Sequence, residues 1–528
     1  QGIGAYARGM KLPIPIDWWY WNPSRVLEGG NEINEFPFFT FLYGDPHAHM
    51  FALGITIIAL GWVLSIVLNR GEGQKWPALL WSLFFGAVTI GALFPTNTWD
   101  SPTYSVIAVA GLIYAGMRHQ FGIRLPGNGK GISKKVVLAV IAVIVFYALT
   151  KVLYQPFSYW FAQAYSKLDL WTGNHTTFKQ FFTHWGVFYT ILGGWLIYEV
   201  IDWLANEPAS SLRKLKPYSA AIKLFTLFVV LSLVGLVLIA KIPTAVLSLT
   251  LGLVALILLF RREQPDSKRF VLFLVGSGAM LAFMVEVVVL VGDIARMNTV
   301  FKIYLQVWVL WGIASAAALI WMLERFSKIK PPKAYSAWLT LVFVLLFSGL
   351  LYPLTATSAK LRDRMATDAP RTLDGMTYMT VAHQNENGID FALRDDYDLI
   401  RWMQANIQGT PVILEGNLPL YHWGNRISIY TGLPVPIGWD WHQRQQRMTQ
   451  PETNLKIRLQ DTADFYTLPD VEAALKVLKK YNVKYFVVGE PEHIYYPVEG
   501  LSKFPANENV YWKAVFSQGN TVLYEVLP

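Results

Sequence analysis

The amino-acid sequence predicts an α-helical polytopic membrane protein of about ten transmembrane helices, with a small α/β domain at its C-terminal end. Three observations carry that prediction. Of 528 residues, 53% are hydrophobic and only 15% charged, where a soluble chain would carry about 25% charged residues. Long apolar runs recur that approach the roughly 20 residues needed to cross a hydrocarbon core. Beyond about residue 355 those runs stop, and helical periodicity alternates with short β-rich stretches.

The apolar runs place spans near 46–68, 77–94, 103–117, 134–154, 184–204, 219–240, 242–260, 269–292, 299–323 and 336–354. Basic residues then orient them. Arg70 and Lys75 follow the first span, and Arg118, Arg124, Lys130, Lys134 and Lys135 the third. Arg213, Lys214 and Lys216 follow the fifth, Arg261, Arg262, Lys268 and Arg269 the seventh, and Arg325, Lys328, Lys330 and Lys333 the ninth. Every second loop is basic, which marks those loops as cytoplasmic. Much of the net charge of +9 is thereby a topology signal, and nucleic acid is not an expected partner. The chain is expected in the cytoplasmic membrane, with its C-terminal domain outside.

Four segments follow from this threading. Residues 1–45 are read as an outward-facing interfacial segment, since "KLPIPIDWWYWNPSRVL" is too broken by proline to span and its Trp18, Trp19, Tyr20 and Trp21 suit the headgroup level. Residues 46–354 form the helical membrane domain, 355–390 a polar linker and 391–528 the outer domain. In that domain "RDDYDLIRWMQANI" and "LPDVEAALKVLKKY" read as helices, and "PVILEG", "VKYFVVGE" and "TVLYEV" as strands of a small mixed or parallel sheet. With no cysteine, disulfides and thiolate metal sites are excluded. The start "QGIGAYARGM" shows neither an initiator methionine nor a signal peptide, so a processed or partial chain is expected.

Polar residues on the predicted outer face form four constellations. In "NEFPFFTFLYGDPHAH", Asp45-Pro46 reads as a helix start with Asp45 at the N-cap. Helical geometry then sets His49 one turn from Asp45 on the same side and His47 roughly opposite. Asp45 or Glu35 is a candidate catalytic acid, and Asp45 with His49 a candidate ligand pair for a divalent ion, Mg or Mn; the plainer reading is a capped helix among headgroups. In "PTNTWDSP", Asp100 with Trp99 caps the third span or joins the same site. In "FMVEVVVLVGDIARMNTVFKIYLQVW", Glu286 lies inside a span, where ionisable groups are costly. Asp293, Arg296, Asn298 and Lys302 follow at the turn, either as an Asp293–Arg296 pair with Lys302 snorkelling or as a cationic seat for a lipid-linked phosphate. In "YHWGNRISIYTGLPVPIGWDWHQRQQR", His422, Arg426, His442 and Arg447 crowd among aromatics. That density suits a sugar or phosphate, or a surface that docks the domain on the membrane part. No Gly-rich phosphate loop and no regular hydrolase or metalloprotease motif occurs.

These stretches, together with "NTWDSPTY", "RMNTVFKIYLQVW" and "YNVKYFVVGE", resemble the uncharacterised "YYY" membrane proteins of archaea and some bacteria, a family grouped with the GT-C glycosyltransferases. The resemblance implies a GT-C-like multi-span fold, a catalytic acid in an outward loop and a polyprenyl-phosphate-linked sugar donor as partner, beside membrane lipid. Members usually carry further N-terminal spans including a tyrosine triplet. None is seen here, so other membrane subunits are candidates to supply them. The functional expectation is glycosyl transfer at the outer face. The alternatives are a non-catalytic assembly subunit of a larger complex and, prompted by Glu286, a transporter.

Overall fold

The structure is a computed structural model and describes residues 20–27, 32–69, 75–123, 132–162, 167–208, 210–328, 331–365, 368–447 and 451–528. The chain divides into two compact units, Gln1–Phe157 with Tyr165–Asp363, and Ser158–Ala164 with Arg364–Pro528. Trp18 and Trp19 of the expected aromatic anchor, and Arg70, Arg124, Lys130 and Lys330 of the basic loops, lie outside the described residues.

Among the described residues the first unit holds ten long helices: α1 (Ala48–Leu68), α2 (Trp76–Thr96), α3 (Asp100–His119), α4 (Ile132–Leu153), α5 (Phe178–Asn206), α6 (Ser219–Leu238), α7 (Ala245–Leu259), α8 (Asp266–Met284), α9 (Met297–Ser327) and α10 (Lys333–Arg364). Eight stretches among the described residues are long and apolar enough to cross a membrane, α7 is a shorter apolar helix, and α3 carries a polar first turn. Helices α1 to α4 pack as one group, α5, α7, α8 and α9 as another, and α8 against α1 joins them. In lipid the tails are as apolar as leucine, so close approach rather than hydrophobic burial holds such helices together. Gly86 of α2 shows this: a Cβ there would overlap the Trp62 ring.

Polar contacts gather several helix ends together. At one end Asp266 accepts from Tyr114 Oη at 2.6 Å, and Arg261 lies 3.5 Å from Asp202 and 3.6 Å from Glu199. Ends of α3, α5, α7 and α8 therefore meet there, the end expected to be cytoplasmic. The residues discussed below as a site gather at the other ends of these helices.

Two span boundaries differ from the sequence reading. The eighth run stops at Met284, because the β-branched stretch after it forms strand β2 (Val288–Leu290), antiparallel to β1 (Leu168–Leu170). Glu286 therefore lies beyond the end of α8. The last helix continues to Arg364, so the first part of the expected 355–390 linker is helical.

The second unit holds the hairpin β3 (His383–Glu386) and β4 (Ile389–Ala392), whose Asn387 and Gly388 take φ of 51° and 84°, as a tight two-residue turn requires. Strands β5 (Val412–Leu414), β6 (Val483–Val488), β7 (Trp512–Gln518) and β8 (Thr521–Val526) form a mixed sheet in the order β5-β6-β8-β7, parallel only between β5 and β6. Helices α11 (Arg394–Asn406), α12 (Glu452–Thr467) and α13 (Val471–Tyr481) accompany it. Its two cores centre on the aromatic side chains Phe486, Phe504 and Trp512, and on the aliphatic Leu399, Ile413 and Ile427.

Candidate functional site

The helix at "GDPHAH" begins at Ala48, with His47 as N-cap and no side-chain capping bond. Asp45 is exposed and outside the helix. Its expected capping role is thus corrected. The later start also reverses the expected split of the histidines. His49 is buried against the Phe301 ring, with centroids 4.6 Å apart, its Nδ1 lies 2.9 Å from His47 Nδ1, and its Nε2 lies 3.1 Å from Glu35 Oε2. Thr40 Oγ1 also donates to that oxygen at 3.0 Å. Glu35, not Asp45, is therefore the acid of this corner. Both ring nitrogens of His49 are engaged, so Asp45 with His49 does not fit a metal pair. Among the described residues no group of three or more His, Asp or Glu side chains is arranged to hold a metal ion.

Asp100, the first residue of α3, is buried and accepts from Asn97 Nδ2 at 2.9 Å. The loop carrying it is tied to α9, where Gln306 donates to the Trp99 carbonyl at 2.9 Å and accepts from Thr103 Oγ1 at 2.5 Å. One turn earlier on α9, the Lys302 ammonium sits 4.7 Å from the Phe301 ring centroid; burial works against its charge, and the charges of Asp100 and Glu35 act in the opposite sense. Glu35, Asp100 and Lys302 thus come together from the segment before α1, the α2–α3 loop and the start of α9. From the first turn of α3, Pro102 and Thr103 lead into an apolar cavity of about 690 Å³ between α3, α6, α7 and α8, lined by residues such as Ile107, Phe228, Leu253 and Met280.

Arg296, expected as a phosphate donor, is engaged elsewhere. Its Nε donates to Glu32 at 3.1 Å, its Nη1 to the Val285 carbonyl and to Glu286, each at 3.0 Å, and its Nη2 to Thr176 Oγ1 at 3.1 Å. Only 2% of it is exposed. His175 approaches Glu286 at 3.3 Å, and the Thr176 backbone N–H donates to the same carboxylate at 3.0 Å. Burial works against ionising Glu286, yet His175, Arg296 and Thr176 outweigh it and hold the carboxyl below its ordinary range. Burial likewise works against the Arg296 charge, and Glu286 more than restores it. Asp293 does not pair with Arg296. It accepts from the N–H groups of Asn298 at 3.0 Å and Thr299 at 2.8 Å, and from the Asn298 amide at 3.0 Å, so both Asp293 and Asn298 serve the start of α9.

In the second unit Arg426 is also buried, paired with Asp396 and Glu492 at 2.8 Å each and 4.0 Å from Glu415. It is a structural cation rather than a ligand contact. His422 is half-exposed, with Nδ1 2.7 Å from Glu386. His442 stands beside Tyr421 and Trp439, with ring centroids 5.9 and 5.7 Å away. Arg447 is exposed at the end of the short helix Asp440–Gln446.

Sequence reasoning missed Glu32, His175, Thr176, Glu386 and Glu492 as partners. Each meets its partner across a gap of at least 36 residues, and His175 and Thr176 reach Glu286 across about 110. Only Glu32, beside Glu35 in the same proline-marked loop, gave a local signal.

Residues 2–311 match a family described as uncharacterized membrane protein (DUF2298). The chain belongs to that family. This DUF2298 chain has no match among curated proteins. Among solved structures it is similar to the archaeal oligosaccharyltransferase AglB from Archaeoglobus fulgidus in complex with an inhibitory peptide and a dolichol-phosphate, at 14% identity and TM-score 0.28, covering 84% of this chain and 52% of that one. A second is the Archaeoglobus fulgidus oligosaccharyltransferase in complex with Zn and sulfate, at 17% identity and TM-score 0.30, covering 84% and 49%. The chain spans about half the length of these proteins.

Proposed function

We propose that the protein is a membrane-embedded, glycosyltransferase-like enzyme that transfers a sugar from a polyprenyl-phosphate-linked donor at the outer membrane face, with its C-terminal unit extracytoplasmic. One pairing of features supports this reading: the charges of Glu35 and Asp100 both act on Lys302, and Pro102 and Thr103, next to Asp100 in the first turn of α3, line an apolar cavity. A lipid-linked phosphate needs an apolar channel for its chain and a cation for its head, and this corner offers both.

In the proposed step the acceptor hydroxyl attacks the anomeric carbon and its proton passes to a carboxylate. The bond from that carbon to the phosphate oxygen breaks, and Lys302 balances the charge left on the lipid phosphate. Glu35 suits the base, because its contacts with Thr40 and His49 use Oε2 and leave Oε1 for the acceptor. His49 and His47 behind it fix its position. Asp100, held by Asn97, orients the donor or Lys302.

The test uses the full chain in lipid nanodiscs with a polyprenyl-phosphate sugar carrying a labelled glycosyl group. Glu35→Gln is expected to lower turnover by about 10²–10⁴-fold, the range of general base catalysis, and Asp100→Asn to lower it as well. Unchanged turnover in both variants would sink the scheme. A chain that transfers nothing alone but copurifies tightly with other membrane proteins would favour the assembly-subunit reading.

A further inference from the structure

The second unit carries a polar and aromatic corner that the transfer reading does not use. Glu386, at the end of β3, is completely buried. It accepts four hydrogen bonds: from Tyr495 Oη and His422 Nδ1 at 2.7 Å each, from the Trp423 backbone N–H at 2.9 Å and from the Gln384 amide at 3.1 Å. Burial disfavours its ionised form, but these donors, Tyr495 foremost, outweigh that and keep the carboxyl below its usual range. An ionised acceptor at Nδ1 fixes the tautomer of His422: Nδ1 carries the proton and Nε2 is the acceptor. The imidazole is 44% exposed, so that nitrogen is available to a ligand.

Beside His422 the backbone is strained. Tyr421 takes φ of 65°, a conformation that costs free energy in a bulky residue and tends to mark ligand sites. The Asn425 amide, oriented with its oxygen toward Trp439, accepts from that residue's backbone N–H at 3.1 Å and its indole N–H at 3.2 Å. Trp439 is thereby pinned, with Tyr421 at 5.2 Å and His442 at 5.7 Å between ring centroids. Tyr421 remains 69% exposed. A cluster of three rings, Tyr421 edge-on to Trp439 at 61° and His442 tilted to Trp439 at 31°, therefore adjoins His422 in the chain. The arginine of this loop, Arg426, is already paired with Asp396 and Glu492, and Glu386 adds negative charge. A ring with a flat C–H face and several hydroxyls fits both parts.

We propose that Tyr421, Trp439 and His442, with the Glu386-oriented His422, form a binding site for a pyranose sugar. A ring face stacks on the cluster and a hydroxyl donates to His422 Nε2. Binding is read without turnover, so the site stands or falls independently of the transfer reaction. The test is saturation-transfer NMR on the full chain in nanodiscs, prepared without glycoside detergents, with trisaccharides of glucose, mannose and N-acetylglucosamine as probes. Transfer to ring C–H protons is expected for at least one probe. Tyr421→Asn, which keeps a residue tolerant of positive φ, is expected to weaken binding about tenfold by removing the stacking face. His422→Gln is expected to weaken it while transfer to the C–H face persists. No transfer to any probe, or transfer unchanged in both variants, overturns the proposal. So does a Tyr421→Asn chain that loses association with phosphatidylglycerol vesicles while no sugar binds, which would make the cluster a membrane contact.

Discussion

Replacing Arg296 with methionine separates the structural reading of that residue from a ligand-binding one. Methionine keeps much of the side-chain volume and removes the charge. Two buried carboxylates then lose their cation: Glu286, 1% exposed, and Glu32, 6% exposed. Removing one partner of a buried ion pair costs about 3–5 kcal/mol, because the remaining charge is left uncompensated. The two carboxylates share one guanidinium, so their losses do not add, and the expected cost stays at about 3–5 kcal/mol. The assay is thermal unfolding of the full chain in nanodiscs, followed by tryptophan fluorescence. Adding Glu32→Gln and Glu286→Gln to Arg296→Met removes the orphaned charges and is expected to restore much of the loss. A variant within about 0.5 kcal/mol of the parent, the range of ordinary surface substitutions, would refute the network if it also lost affinity for lipid phosphate.

Other consequences follow from the same geometry. Lys302→Met is expected to leave the unfolding midpoint close to that of the parent while weakening polyprenyl phosphate binding, read by native mass spectrometry. Arg426→Met is expected to destabilise the second unit by about 3–5 kcal/mol, since Asp396 and Glu492 would be left buried and unpaired; hydrogen exchange confined to residues of that unit would report it. Asp293→Ala removes the side chain that accepts from the Asn298 and Thr299 N–H groups, and about 1 kcal/mol of stability is expected to go with it. Glu386 binds fewer protons folded than unfolded, because its folded carboxyl is held low. Its contribution is present above the unfolded carboxyl range near about 4.3 and is lost as pH falls through the lower folded value. Glu386→Gln is expected to flatten that part of the acid-unfolding curve, measured by circular dichroism.

The membrane bundle was legible in the sequence because a span is a local property. Twenty apolar residues in a row announce themselves, and basic loops orient them without knowledge of any tertiary contact. The misreadings came where a local rule met a long-range one. Asp45-Pro46 satisfied a capping rule, but burial of His49 against Phe301 and its bond to Glu35 accompany a helix start at Ala48. The run Val285–Leu290 looked like membrane helix, but β1 was there to pair with it. Arg296 and Arg426 were found as notable cations, yet their roles depend on Glu32, Glu286, Asp396 and Glu492, acids whose partnership leaves no mark in the sequence. Lys302 and Asp100 were found because both sit beside turns on the same face, and topology alone places them together.

The central claim is that Lys302 and the cavity beyond Thr103 seat a lipid-linked phosphate. The most direct measurement compares dissociation constants of a long-chain polyprenyl phosphate and the polyprenol of equal length, for the parent chain and for Lys302→Met, in nanodiscs. The account predicts that the parent prefers the phosphate by about tenfold or more, a difference of about 1.4 kcal/mol, and that Lys302→Met removes the preference while still binding the polyprenol. Equal affinity of the parent for both lipids, or a preference that survives in Lys302→Met, would contradict it.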